Sequence, residues 1–249
     1  MRDQVHVWHS DPGWFVSPAR KAACLDLLDD AERQRLRRFR FEPDRATYLV
    51  AHALLRAALS LQASIGPRLW RFGSSARGKP FVSEPTVDPN LSFSVSHARG
   101  RVAVAVTTAG PVGIDVERTD RAEELEGIRD HYLSAFELET LRFASPVSRQ
   151  ERLVAYWTLK EAYGKARGTG LDEHLPGVSF DLDEGHAIRV SSVERDTGNL
   201  EDWWFLRASP SPDHAMALVV RRRAGIDLDV CIHEARDLPR SPREISALE

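Results

Sequence analysis

The chain has 249 residues, 42 % hydrophobic and 29 % charged, with a formal net charge of −3. That length can bury a substantial core, in one large domain or two smaller ones. The small negative charge excludes a nucleic-acid binder driven by bulk charge, and no apolar run approaches the ~20 residues that span a bilayer.

The opening Met1-Arg2-Asp3-Gln4-Val5 lacks the apolar core of a signal peptide. Cys24 and Cys231 form no CxxC pair, so neither a zinc site nor a disulfide framework is expected, and a reducing cytoplasm is. Val5 and Val7 share one face of an opening strand. Ser17-Pro18 predicts a helix start, with Ser as cap and Pro at the first helical position. Helical character runs to about Phe39, with a break at Asp29-Asp30. Asp44 is expected to cap a stronger helix to about Gln62, whose apolar stripe includes Tyr48, Leu49, Ala51, Leu55, Ala58 and Leu59. Gly66-Pro67 ends it.

Strands follow, at Leu69–Phe72 and Phe81-Val82, with the turn Gly78-Lys79-Pro80 between them. Leu91–Val95 and Arg101–Thr107 alternate with period two and read as a hairpin, with Ser96–Gly100 as a polar loop longer than the tightest type. Gly110-Pro111 is a connector. In Val112-Gly113-Ile114-Asp115-Val116-Glu117, the apolar residues share one face, and Asp115 and Glu117 share the other. Two strand steps put those acids roughly 6.6 Å apart, close enough to converge on one hard cation. The same pattern also suits the wet face of an antiparallel sheet.

A helix is expected over Arg121–Arg129. Ser134-x-x-Glu137 and Ser148-x-x-Glu151 read as capping boxes that start two more helices. The second carries Trp157, Glu161 and Lys165 and ends near Gly168. Glu161 and Lys165 make the i,i+4 pair that stabilises exposed helices. Together with Asp115 and Glu117 they also assemble three acidic oxygen donors and a cation, which suits magnesium and a phosphate. Trp157, one turn before Glu161, reads as a core anchor. Strands return at Val178–Leu182, Ala187–Val193, Trp203–Ala208 and Ala215–Arg221, with a weak one at Leu228–Ile232.

Charge is uneven. Arg33, Arg35, Arg37, Arg38, Arg40 and Arg45 crowd one stretch, with Glu32, Glu42 and Asp44 interleaved. This is either a solvated helix face or a local site for an anion or an acidic partner. Only four of the 34 basic residues are lysines, namely Lys21, Lys79, Lys160 and Lys165, so a lysine inside a motif stands out. The element order is helix then sheet, twice, which favours an α+β fold of two halves, 1–110 and 111–249.

Four segments in this order resemble the phosphopantetheinyl transferases. They are Gly78-Lys79-Pro80, Phe93-Ser94-Val95-Ser96-His97, Gly113–Glu117 and Trp157–Lys165, within a stretch from about Arg33 to Leu171. The length is similar to the larger monomeric, surfactin-synthetase-activating type, since the homotrimeric type is about half as long. The resemblance implies two similar α/β halves with pseudo-twofold symmetry and an active site in the cleft between them. It implies transfer of the phosphopantetheine arm of coenzyme A to a serine of an apo acyl or peptidyl carrier protein, with magnesium, releasing adenosine 3',5'-bisphosphate. By position, Asp115, Glu117 and Glu161 would hold the metal. Lys165, Ser96, His97, Lys79 and Arg45 would hold coenzyme A. Ala98 departs from the pattern where relatives often carry a second serine, and Gly164 where they carry a bulkier residue. Glu161, directly or through a metal-bound water, or else Lys165, would take the serine proton. The carrier would be acidic, the enzyme a cytoplasmic monomer. Residues alone leave two other readings open: a different magnesium-dependent enzyme acting on a nucleotide diphosphate, or a coenzyme A or carrier-binding module without turnover.

Overall fold

The structure is a computed structural model that describes residues 2–169, 175–182, 188–192, 200–222 and 226–238. The first strand, β1 (Arg2–Ser10), leads to α1 (Pro18–Leu27) and α2 (Asp30–Leu36). The break between these helices falls where the two aspartates stand. Asp29 caps α2 by accepting from the Glu32 backbone, and the Glu32 carboxylate accepts from the Asp29 backbone in return. Next comes α3 (Glu42–Ala63), which starts two residues before Asp44. Pro43 in its first turn sets the start, Phe41 is the cap residue without a side-chain bond, and Ser64 ends the helix in the left-handed conformation.

A short hairpin follows, β2 (Arg71–Ser74) and β3 (Pro80–Glu84), and then β4 (Ser92–Ala98) and β5 (Arg101–Thr107). The β4–β5 turn is tighter than expected. Only Arg99 and Gly100 connect the strands, and Gly100 has φ of 84°, which such a turn requires. Ser96 and His97 therefore belong to β4 and not to a loop. The acidic strand is β6 (Val112–Arg118).

The second helical group is α4 (Ala122–Gly127), α5 (Arg129–Tyr132), α6 (Ala135–Phe143) and α7 (Pro146–Arg167). Ser134 and Glu137 form the expected capping box on α6. Helix α7 begins one turn earlier than the Ser148 signal indicated, because Ser145 caps it and Pro146 occupies its first turn. It ends at Gly168 in the left-handed conformation, as the sequence predicted. The remaining strands are β7 (Val178–Leu182), β8 (Ile188–Ser192), β9 (Trp203–Ser211), β10 (His214–Arg221) and β11 (Asp227–Glu234). The outer ends of the expected Ala187–Val193 strand lie outside the described residues.

These elements form layers. A four-stranded sheet, in the order β11-β1-β5-β4, carries α3 on one face. A three-stranded sheet, in the order β6-β10-β9, carries α7 on its outer face. Between the sheets lies a shared core of Val5, Val7, Ala103, Ala105, Val112, Ile114, Val116, Met216, Leu218 and Val220. Period-two alternation explains this sharing: in β5, Val102, Val104 and Val106 face α3 while Ala103 and Ala105 face the other sheet.

One strand crosses the expected division at residue 110. β11 lies parallel to β1, inside the sheet built otherwise from the N-terminal half. A parallel partner needs a long crossover, and nearly the whole chain lies between β1 and β11. The C-terminal half thus lends one strand to the sheet of the N-terminal half.

The two sheets meet through side chains rather than a backbone ladder. The hydroxyls of Ser92, Ser94 and Ser96 on β4 accept from the backbone N–H groups of Val112, Ile114 and Val116 on β6, at 3.3, 3.1 and 3.3 Å. These N–H groups lie along the edge of β6 that faces away from β10. Without the serines they would be buried donors lacking a partner. A second buried polar tie holds α7. Lys160, 1 % exposed, pairs at 2.9 Å with Glu137, 0 % exposed, and also donates to the Val178 carbonyl. Glu137 in turn accepts from the backbones of Ser134 and Phe180.

Ser94 faces the seam without touching the acidic residues, so it tests the seam alone. Ser94→Ala should lower the unfolding free energy by about 1–3 kcal/mol, the cost of an orphaned buried N–H. Urea denaturation measures this. A midpoint equal to the wild type would mean that the serine hydroxyls do not hold the sheets.

Candidate active site

Helix α7 lies across β6 at the one place where β6 has no side chain. A Cβ built on Gly113 would fall 1.9 Å from the Ala162 carbonyl oxygen and 2.6 Å from the Ala166 nitrogen. Only glycine permits that approach. Glu161 and Lys165, one turn apart on the same helix, are thereby brought beside Asp115.

Asp115 is 3 % exposed. Its Oδ1 accepts from Lys165 Nζ at 2.7 Å and from Ser96 Oγ at 2.7 Å. Lys165 Nζ is also 3.0 Å from Ser96 Oγ, so the three groups form a closed triangle. Asp115 Oδ2 is buried with no hydrogen-bond partner. A charged oxygen left so is costly unless something else neutralises it.

Glu117 is held from the other side. Its Oε1 accepts from the Arg121 guanidinium and, at 3.1 Å, from Trp157 Nε1. Trp157 is in turn fixed edge-on against Tyr132 at 5.1 Å, and the Arg121 guanidinium lies over its ring. The tryptophan is thus more than the core anchor its spacing suggested: it aims a carboxylate. Arg121 was likewise missed, since it read only as the start of a helix. The signal available was its i,i+4 distance from Glu117. Burial and the nearby Asp115 charge raise the Glu117 pKa, against the opposing pull of Arg121.

Glu161 differs from both. No hydrogen bond reaches its carboxylate among the described residues. Burial first, and then the Asp115 charge, push its pKa up to about 7, with Lys165 pulling the other way. The oxygens of Asp115, Glu117 and Glu161 do not all fall within 4.8 Å of one another. Lys165 draws Asp115 aside, Arg121 draws Glu117 aside, and the three like charges repel. They nonetheless lie close enough to affect one another, since Asp115 and Glu117 both oppose the ionisation of Glu161. The donor set fits magnesium. All three are hard oxygen donors from carboxylates, and the orphaned Oδ2 of Asp115 is available to a cation.

The other expected residues spread out. Ser96 is in the triangle. His97, next to it on β4, takes the alternate face and stays within electrostatic reach of the site: burial first, and then the Lys165 ammonium, lower its pKa, with Asp115 opposing. Lys79 donates to the carbonyls of Ala166 at 3.0 Å and Val112 at 3.4 Å, so its ammonium joins the β2–β3 turn to the end of α7 and the start of β6. Burial lowers its pKa. Arg45 lies at the start of α3. Its guanidinium bonds the Phe39 carbonyl at 2.7 Å and Glu42 at 2.8 Å. Arg33 also turns inward, to the Leu25 carbonyl.

Two cavities run along this face. The smaller, about 220 Å³, is lined by Arg77, Lys79, Phe93, Ser94, Lys165 and Gly168 among others. The larger, about 390 Å³, is lined by Glu32, Arg35, Tyr48, His52, Phe72 and Phe93 among others. They share Gly78, Pro80, Phe93 and Val95 and so adjoin. His52 was not singled out in the sequence. It is held by Glu32 at 2.7 Å, and Glu32 is held by the fully buried Arg56, which also bonds Asp29 and the carbonyls of Pro67 and Trp70. The floor of the larger cavity is therefore rigid, while Arg35 stands exposed at its rim, over the Tyr48 ring.

Comparison with known proteins agrees with this picture over most of the chain. Residues 111–219 match the family model of the 4'-phosphopantetheinyl transferase superfamily, and residues 13–109 match that of the 4'-phosphopantetheinyl transferase N-terminal region. The chain is 28 % identical over 226 residues to a phosphopantetheinyl transferase of Thraustochytrium sp., covering 85 % of this chain and 76 % of the relative. It is 31 % identical over 231 residues to the L-aminoadipate-semialdehyde dehydrogenase-phosphopantetheinyl transferase of Eremothecium gossypii, covering 89 % and 80 %. It is 30 % identical over 172 residues to a 4'-phosphopantetheinyl transferase of Bacillus subtilis, covering 69 % and 74 %.

The raised pKa of Glu161 has a thermodynamic consequence. A carboxyl that ionises at about 7 in the fold and at its ordinary 4.5 when unfolded binds more protons folded. Its contribution to stability is complete below the unfolded value and is lost as pH rises through about 7. Metal-free protein should therefore lose melting temperature between pH 5 and 8, roughly the interval spanned by those two values. Magnesium should raise the melting temperature more at pH 8 than at pH 6, and Glu161→Gln should remove most of both effects. Thermal melts at several pH values, with and without magnesium, decide it. A slope unchanged in the variant would show that Glu161 is not the group responsible.

Proposed function

The chain belongs to the 4'-phosphopantetheinyl transferase superfamily, and we propose that the Asp115–Glu117–Glu161 cluster and the adjoining cationic groove form its catalytic centre. The enzyme transfers the 4'-phosphopantetheine arm of coenzyme A to a serine hydroxyl of an apo carrier protein. Adenosine 3',5'-bisphosphate leaves.

Breaking a diphosphate in this way spreads charge over non-bridging oxygens, so positioning and neutralisation supply most of the rate. Magnesium, when bound, would neutralise those oxygens and align them for in-line attack. Asp115, Glu117 and Glu161 would hold it. Lys165 is already oriented by Asp115 and Ser96, and its ammonium would meet diphosphate oxygens entering beside it. Asp115 and Ser96 already engage that nitrogen, which suits it to neutralise phosphate oxygens rather than to receive a proton. Glu161, directly or through a metal-bound water, is the better candidate to take the serine proton, since no hydrogen bond occupies its carboxylate among the described residues. This separation of roles between Glu161 and Lys165 carries the reading.

The groove supports a placement of coenzyme A. The larger cavity is lined by the aromatic side chains of Tyr48, Phe72 and Phe93, which suits a base, and carries Arg35, which suits a phosphate. The smaller cavity, with Arg77, Lys79 and Lys165 along it, suits the diphosphate. Arg37 and Arg38 are exposed beside the rim and suit an acidic carrier. The surfactin-synthetase-activating subtype, the pseudo-twofold relation of the halves, a monomeric state and a reducing cytoplasm belong to the same proposal. Both walls of the groove come from one chain, and both cysteines are free. Among the described residues no helix is long and apolar enough to cross a membrane.

Incubation with coenzyme A, magnesium and an apo carrier should add one phosphopantetheine to the carrier by intact mass. Glu161→Gln should cut transfer by about 10²–10⁴-fold while leaving coenzyme A binding by calorimetry within a few-fold. Equal turnover in variant and wild type would remove Glu161 as the base. Arg35→Ala should raise the KM for coenzyme A by roughly tenfold or more at little change in kcat, as for a lost charge-assisted hydrogen bond. Charge reversal at Arg37 and Arg38 should instead raise the KM for the carrier and flatten its salt dependence. If neither KM moves, the groove and its rim are not where the substrates sit.

A further inference from the structure

A second cluster of ligand-type side chains lies at the opposite edge of the four-stranded sheet from β4. The strands β1 and β11 pair in register there, with His6 beside Cys231 and Trp8 beside His233. Val5, Val7 and Val230 face the shared core, so His6, Cys231 and His233 all project from the other face. One ligand-type atom from each of these three residues lies within 4.8 Å of the others, and all three residues are half-buried.

Within that cluster the two imidazoles approach nitrogen to nitrogen. His6 Nδ1 and His233 Nε2 are 3.4 Å apart. That is long for a hydrogen bond, whose nitrogen-donor range is about 2.7–3.2 Å. It equals the separation of two nitrogens that share a tetrahedral zinc, at about 2.0–2.1 Å from each. The imidazoles are nearly coplanar in orientation, with an interplanar angle of 14° and centroids 5.7 Å apart. The Trp8 ring stacks on His233 at 4.2 Å and so fixes the plane of that ligand.

From this geometry we infer that His6, Cys231 and His233 form a binding site for a zinc-class divalent transition metal, with a fourth position open to water. One thiolate and two imidazoles are borderline-soft donors that select zinc, cobalt or nickel over magnesium. The site is thus chemically distinct from the all-carboxylate cluster on the other side of the sheet. Binding displaces the Cys231 thiol proton, which leaves to solvent. The ion ties the C-terminal strand to the N-terminal strand, ligating both members of a parallel pair that no short connection joins. The sequence offered no CxxC or HxxxH spacing because two ligands come from β11 and the third lies 227 residues away on β1.

The test uses the full chain and the metal alone. Cys24 is 1 % exposed and burial pushes its thiol up to about 12, so Cys231 is the thiol that reacts in the folded protein. One equivalent of zinc should slow modification of Cys231 by a disulfide reagent at least tenfold. Cobalt should produce a thiolate-to-metal charge-transfer band in the near ultraviolet together with tetrahedral d–d bands in the visible. Cys231→Ser should abolish the charge-transfer band, and His6→Gln with His233→Gln should abolish zinc protection. Unchanged thiol reactivity in excess zinc, or a cobalt spectrum without the thiolate band, would overturn the site, and both readings come from wild-type protein even if a variant fails to fold. Zinc protection that survives loss of both histidines would overturn it equally.

Discussion

The seam between β4 and β6 is the constraint on which the rest depends. An unpaired strand edge inside a protein is expensive, because each buried N–H needs an acceptor. Here the acceptors are hydroxyls of Ser92, Ser94 and Ser96, and not the carbonyls of another strand. A hydroxyl standing on a sheet face lets the edge of β6 meet the face of β4 at an angle, which a backbone ladder would not. That angle allows the two sheets to share one apolar core while each keeps its own helix on the outside. It also leaves Ser96 at Asp115, so the last rung of the structural seam is the first contact of the proposed site.

Electrostatics then separates three chemically similar acids. Asp115 has a lysine and a hydroxyl, Glu117 has an arginine and an indole N–H, and Glu161 has neither. The first two are held in place by these donors. The third is buried next to them, and its own ionisation is opposed by theirs. Burial first, and then the two neighbouring carboxylates, tune the third. Gly113 contributes by an absence, since any side chain there would lift α7 and remove Glu161 and Lys165 from Asp115.

The motif residues divide between chemistry and architecture. Lys165 works at the site, whereas Lys160, five residues earlier, is buried with Glu137 and holds α7 to α6 and β7. Lys79 spans the two halves through backbone carbonyls. Isolated buried pairs are poor sources of net stability, yet breaking one leaves a buried charge, so Lys160 and Glu137 can only be changed together.

Local order was legible in the sequence. The period-two runs located β4, β5, β6 and β10, and the serine and glycine caps located α1, α6 and the end of α7, because side-chain alternation and cap bonds are short-range effects. The acids of β6 and of α7 could be assigned to one site through their motifs. What the sequence left undecided all involves partners far apart in the chain. The serines at alternate positions of β4 looked like an ordinary polar face until β6 lay beside them. Trp157 read as apolar filling until its N–H met Glu117, 40 residues away. Arg45 sat in a basic stretch that suggested phosphate, but the carbonyl of Phe39 and the carboxylate of Glu42 engaged it first. β11 was visible as a weak strand, while its partner at the other end of the chain was not. Periodicity states which face a residue occupies, and only packing decides what that face meets.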